Sequence, residues 1–156
     1  MKSMLKLMVI IFFFFLLACT TGNTSNLTVH DTTVNTFLEP CPKTPNCVSS
    51  MEPEVDKHYI PPLLYTGEKK LAYQKLEAII EADSRGRIIS KQENYLKAEF
   101  TSMIFGFVDD VEFLFSPALS TIEVRSASRV GYYDFGVNRR RMEYVSEQYL
   151  STEKPI

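Results

Sequence analysis

Between positions 109 and 141 the chain gathers side chains able to hold a ligand or move a proton. Asp109, Asp110 and Glu112 supply carboxylates. Arg125, Arg129 and Arg139 supply guanidinium groups, and Ser126, Ser128, Asp134 and Asn138 add hydroxyl, carboxylate and amide groups. Three kinds of chemistry fit this set. The first is an ion-pair network in which the three acidic residues balance the three arginines, because buried charges must be paired. The second is an anion or small-molecule site, with arginines and Asn138 near a helix start gripping a carboxylate or phosphate. The third is a hydrolase that uses the Asp110, Glu112, Ser126 and Arg125 side of a sheet.

Catalysis has the least support of the three. Asp109 and Asp110 are adjacent, and neighbours on a strand point to opposite faces, so they do not share one proton. A nucleophilic Ser126 or Ser128 needs a base. The chain has no Gly-x-Ser-x-Gly elbow, and its histidines are His30 and His58 only. A phosphate loop and a dinucleotide fingerprint are also missing. No catalytic residue, metal site or cofactor is therefore assigned. The triplet Arg139–Arg141 opposes the dipole at a helix N-terminus unless an anion or acidic partner offsets it.

The elements that must position these residues follow from hydrophobic period. Thr66 to Asp83 reads as a helix, with Ala72, Leu76, Ile79 and Ile80 on one face, Thr66 as cap and Gly86 as its end. The period then changes to two. Arg87 to Gln92 and Tyr95 to Met103 read as strands around a Glu93-Asn94 turn. Val108 to Phe115 and Thr121 to Ser128 read as a hairpin. Val111, Phe113, Phe115, Ile122 and Val124 face its core side, and Arg125 stands opposite Glu112 or Asp110 according to register. Val137 to Leu150 reads as a second helix with Met142, Val145 and Tyr149 inward and Asp134 at or near its cap. The expected class is α+β, about four antiparallel strands packed with two helices.

Ahead of these elements lies an extended arm punctuated by Pro40, Pro42, Pro45, Pro53, Pro61 and Pro62. It carries Cys41 and Cys47. Outside the cytoplasm a disulfide is the default for such a pair, and the spacing matches neither a zinc knuckle nor Cys-x-x-Cys. Closing so short a loop contributes about 2 kcal/mol.

The N-terminus gives the compartment. Lys2 and Lys6 precede an apolar run from Leu7 to Leu17, then Ala18 and Cys19. Such a run is too short to span a bilayer, which needs about 20 residues. A basic end, a short apolar stretch and a small residue before the cut describe a secretory signal. Its Leu16-Leu17-Ala18-Cys19 ending resembles a bacterial lipobox. That likeness implies residues 1–18 as a signal peptide and Cys19 as a lipidated first residue. Two or three acyl chains, palmitate among them, would anchor it stably. Thr20 after the cysteine favours the outer membrane if the cell is Gram-negative. Residues 19–36, rich in Thr, Asn and Ser, read as a flexible tether reaching about 20–25 Å. One domain over 37–152 follows. Without Lys2 and Lys6, 15 basic residues face 19 acidic ones, a net charge of about −4. That balance argues against nucleic acid as a partner.

Three separated motifs carry a further likeness. They are Pro42-Lys43-Thr44-Pro45-Asn46-Cys47-Val48-Ser49-Ser50, Gly106-Phe107-Val108-Asp109-Asp110-Val111-Glu112-Phe113, and Arg125-Ser126-Ala127-Ser128-Arg129-Val130-Gly131 continuing to Asn138-Arg139-Arg140-Arg141. Together they resemble the bacterial and plastid family known as domain of unknown function 1499, over about Pro40 to Gln148. The resemblance implies no established reaction, so it gives no residue a catalytic role. The expected protein is a lipid-anchored envelope lipoprotein. Its domain binds an envelope protein or an anionic small molecule, with the hydrolase as the alternative.

Overall fold

The computed structural model describes residues 36–151; the signal segment, Cys19 and the tether as far as residue 35 lie outside the described residues. The chain forms β1 (Cys47–Ser49), β2 (Leu63–Leu64), α1 (Lys69–Ala82), β3 (Gly86–Lys91), β4 (Tyr95–Thr101), β5 (Val108–Ser116), β6 (Thr121–Ser128) and α2 (Val137–Ser151). The class is α+β, as expected. One antiparallel sheet runs in the order β1-β6-β5-β4-β3, and β2 also pairs with β6.

Strict alternation builds the sheet. Along β5 every second residue is buried, so Val111, Phe113 and Phe115 face the helices while Asp110 and Glu112 face the other way. β6 presents Ile122 and Val124 to the same side, and β4 presents Leu96, Ala98 and Phe100. Both helices pack on that side. Ala72, Leu76 and Ile80 of α1 and Met142, Val145 and Tyr149 of α2 complete one core. Burying a large apolar side chain of this kind contributes about 1.5–3 kcal/mol. Tyr73 stacks on Phe115 at 4.9 Å between ring centroids and donates to the Tyr95 carbonyl at 3.0 Å, fixing α1 along the sheet.

The sheet has two more strands than hydrophobic period predicts. Both come from the proline-rich arm and share the free edge of β6. Cys47–Ser49 lies opposite Arg125–Ala127, and Leu63–Leu64 lies opposite Thr121–Ile122. Prolines confine such strands to edges, and edge pairing protects β6 from association with other chains. The Cys41–Cys47 disulfide is present, with Cα atoms 5.7 Å apart, and ties the start of the arm to β1.

Three boundary expectations need correction. Thr66 does not cap α1: Gly67 turns the chain at φ 76°, and Glu68 occupies the cap position without a side-chain bond. Gly86 does not end that helix. The end falls at Asp83, whose carboxylate accepts from the Arg85 backbone and guanidinium. Gly86 instead opens β3, where an added Cβ would meet the Ile80 carbonyl at 2.8 Å and the Phe100 ring at 3.0 Å. Only glycine allows that helix–strand approach. Strand β4 stops at Thr101, so Met103 lies in the following loop.

Candidate functional site

The alternation of β5 divides the polar constellation between two sides of the sheet. On the helix side, Asp109 accepts from Arg141 at 2.5 Å, with both side chains about nine-tenths buried. Arg141 also donates to Asn138 Oδ1 at 2.7 Å and to Ser126 Oγ at 3.0 Å. Ser126 is fully buried and donates its hydroxyl to Asn138 Oδ1 at 2.6 Å. The amide nitrogen of Asn138 reaches the Asn46 carbonyl, Ser128 Oγ and Asp134 Oδ2, all within 3.0 Å. Asp134 caps α2 by accepting from the Gly136 and Asn138 backbone amides. Charge at that position suits the helix dipole.

On the opposite side the groups form a surface ladder. Glu99 and Asp110 are register partners, a like-charge pairing that is unfavourable alone. Arg129 resolves it by bridging both carboxylates, with Nε and Nη2 on Asp110 and Nη2 on Glu99. Lys97 adds a contact to Asp110 at 3.3 Å, and Arg87 adds one to Glu99. The bond from Arg129 holds the Asp110 carboxyl below its ordinary value, and Arg129 followed by Arg87 does the same for Glu99. Glu112 faces Arg125 in register and accepts from it at 2.9 Å. Its other oxygen accepts from the Tyr95 hydroxyl at 2.6 Å. Burial first, then that bond to Glu112, pushes the Tyr95 phenol well above its usual range. Arg125 Nε is buried without an acceptor among the described residues.

This geometry corrects three expectations about the cluster. Asp109 pairs with Arg141, not Arg139. Arg139 instead donates to the Lys57 and Tyr59 carbonyls and holds the arm against α2. Ser126 does not join Asp110, Glu112 and Arg125, because it faces the helices and they face away. Its hydroxyl meets an amide oxygen, which is not a base. Nor do the three successive arginines form an open anion cradle. Arg139 binds loop carbonyls, Arg140 donates to the Phe135 carbonyl at 2.8 Å, and Arg141 binds Asp109. His58 is buried, with Nδ1 2.8 Å from Asp56 and Nε2 3.2 Å from the Thr44 carbonyl.

Arg141 was legible one step further along the helix. With Met142, Val145 and Tyr149 inward, the same face extends back to Asn138 and takes in position 141. The described residues also hold a groove of about 560 Å³ between α2 and the arm. Ile60, Leu63, Val124 and Met142 form its floor, and Arg139 and Glu143 stand among its lining residues.

The two sides of the sheet respond differently to substitution. Asp109→Ala strands the buried Arg141 charge and lowers stability by about 3–5 kcal/mol. Asp110→Asn on the solvent side costs about 0–1 kcal/mol. Urea unfolding of both variants measures the difference. The depressed Asp110 and Glu99 carboxyls add stability that is complete above the unfolded values near pH 4. It is lost as pH falls from about 4 through the folded values. Arg129→Met should flatten that acid limb of the melting temperature, read by thermal melts between about pH 2 and 5.

No curated protein and no solved structure matches this chain. The family described as protein of unknown function, DUF1499, matches residues 37–148, a span that takes in the arm, the whole sheet, α1 and most of α2. The chain belongs to that family.

Proposed function

We propose that the protein is a lipid-anchored lipoprotein of the cell envelope whose domain is a non-catalytic binding module. The observation that carries this reading is how the polar constellation is used. Asp109, Asp110 and Glu112 pair with Arg141, Arg129 and Arg125, Arg139 is taken up by loop carbonyls, and the buried Ser126 hydroxyl meets an amide oxygen. Such an arrangement favours a rigid scaffold over a reacting centre, because a catalytic group needs access and a matched pKa. The disulfide fits an oxidising compartment. The signal pattern ending at Cys19 supplies the anchor, in the outer membrane if the cell is Gram-negative. The groove between α2 and the arm, with its apolar floor, offers room for an envelope partner or a small ligand.

Intact mass of the protein purified from membranes tests the anchor. The expected species begins at Cys19, carries acyl mass, and has Cys41 and Cys47 resistant to alkylation until reduced. An uncleaved chain without acyl mass, with all its thiols open to alkylation, would contradict the reading.

A further inference from the structure

One end of the sheet is unusually apolar. The loop joining β4 to β5 exposes Met103, Ile104, Phe105 and Phe107, with Met103 and Ile104 at 87% and 85% of full exposure. The loop from β6 to α2 exposes Tyr132 and Phe135. The two loops leave the sheet side by side: the Arg129 amide donates to the Val108 carbonyl at 3.1 Å, and Asp109 is the register partner of Ser128. Phe105 and Phe107 stack on each other rather than on the core. Phe135 holds a left-handed backbone at φ 56° while its ring points outward. A bulky residue in that region is strained, and its ring meets Tyr133 edge-on at 5.1 Å while staying largely exposed.

We propose that this tip seats in the headgroup region of a phospholipid bilayer, holding the domain against the membrane that its lipid anchors it to. The inference rests on the lipoprotein reading above. Two features select a membrane over a protein partner. The first is where the chain joins the anchor. The disulfide fixes Cys41 beside Cys47, which pairs with Ala127. The Asn46 side chain donates to the Gly131 carbonyl at 2.7 Å. The arm is therefore bound to the tip end of the sheet only a few residues after the tether ends, and a coil of the tether's length reaches about 20–25 Å. The second is charge. Positions 102–107 carry none, and Asp134, the one acidic residue at 130–136, is turned inward as the α2 cap. Arg140, exposed and bonded to the Phe135 carbonyl, flanks the tip as a basic group that suits anionic headgroups. Exposed aromatic rings beside a basic group are a pattern found at membrane interfaces.

The chain has no tryptophan, so one can be placed as a sole reporter. Phe105→Trp puts it at the tip. Leu119→Trp puts it in the exposed β5–β6 turn, at the other end of a hairpin roughly 23 Å long. Each full-length protein, purified from membranes, is reconstituted into vesicles of phosphatidylethanolamine and phosphatidylglycerol, with and without bromine-labelled acyl chains. The expected result is blue-shifted emission that lipid bromine quenches for Phe105→Trp, with neither change for Leu119→Trp. Equal, solvent-like emission from both reporters overturns the proposal. So does a blue shift that lipid bromine does not quench, which places a protein or a second copy over the tip. Intact mass separates the two readings. An acylated protein with an unquenched tip keeps the anchor and removes the seat. A chain without acyl mass, added to the same vesicles, still supports the seat if its tip reporter is quenched and overturns it if not.

Discussion

The amide of Asn138 is the joint on which this fold depends. Its oxygen accepts from Ser126 of β6 and from Arg141, and its nitrogen reaches the Asn46 carbonyl at the start of β1, Ser128 and Asp134. One side chain thus links the arm, the sheet edge and the first turn of α2. Asn138 and Ser126 have no exposure and Asn46 has little, and an unmet polar atom in such a place costs about 1–3 kcal/mol. The neighbouring Asp109–Arg141 pair satisfies the rule that a buried charge needs a partner. A fully satisfied buried network of this kind also fixes which packing the core adopts.

The period of the strands separates this joint from the other charges. Neighbouring residues on β5 face opposite ways, so Asp109 serves the buried joint while Asp110 serves the ladder on the open side. On that open side the chain needs only solubility and register, and paired charges supply both. The polar residues that first suggest chemistry are thereby divided into two structural tasks. Among the described residues, the apolar surfaces left uncovered include the floor of the groove beside α2 and the loops at one end of the sheet. The proposed binding role rests on those surfaces.

Most of the framework was legible because hydrophobic alternation is strong where a strand has one wet and one dry face. The β6 boundaries and the inward residues of β5, β6 and α2 follow from that pattern alone. Strands β1 and β2 do not, because two or three residues among prolines carry no period; edge pairing with β6 defines them. The choice among three successive arginines was also hidden in composition, since only helix phase distinguishes Arg141 from Arg139. The exposed loop at 102–107 was misread in part as strand, because Met103 continues the apolar content of β4 beyond the last ladder pair at Thr101. Apolar residues in a loop obey no periodic rule, so only their exposure in three dimensions identifies them.

Native-state hydrogen exchange tests most directly whether the Asn138 joint makes arm, sheet and last helix one cooperative unit. The informative amides are Ser50 and Ser128, which bond across the arm–sheet boundary to Val124 and Asn46, and Met142 and Val145 within α2. All four are expected to exchange through the same global opening, with equal free energies. Exchange of Ser50 and Ser128 through a separate, much cheaper opening, while α2 stays protected, would contradict it.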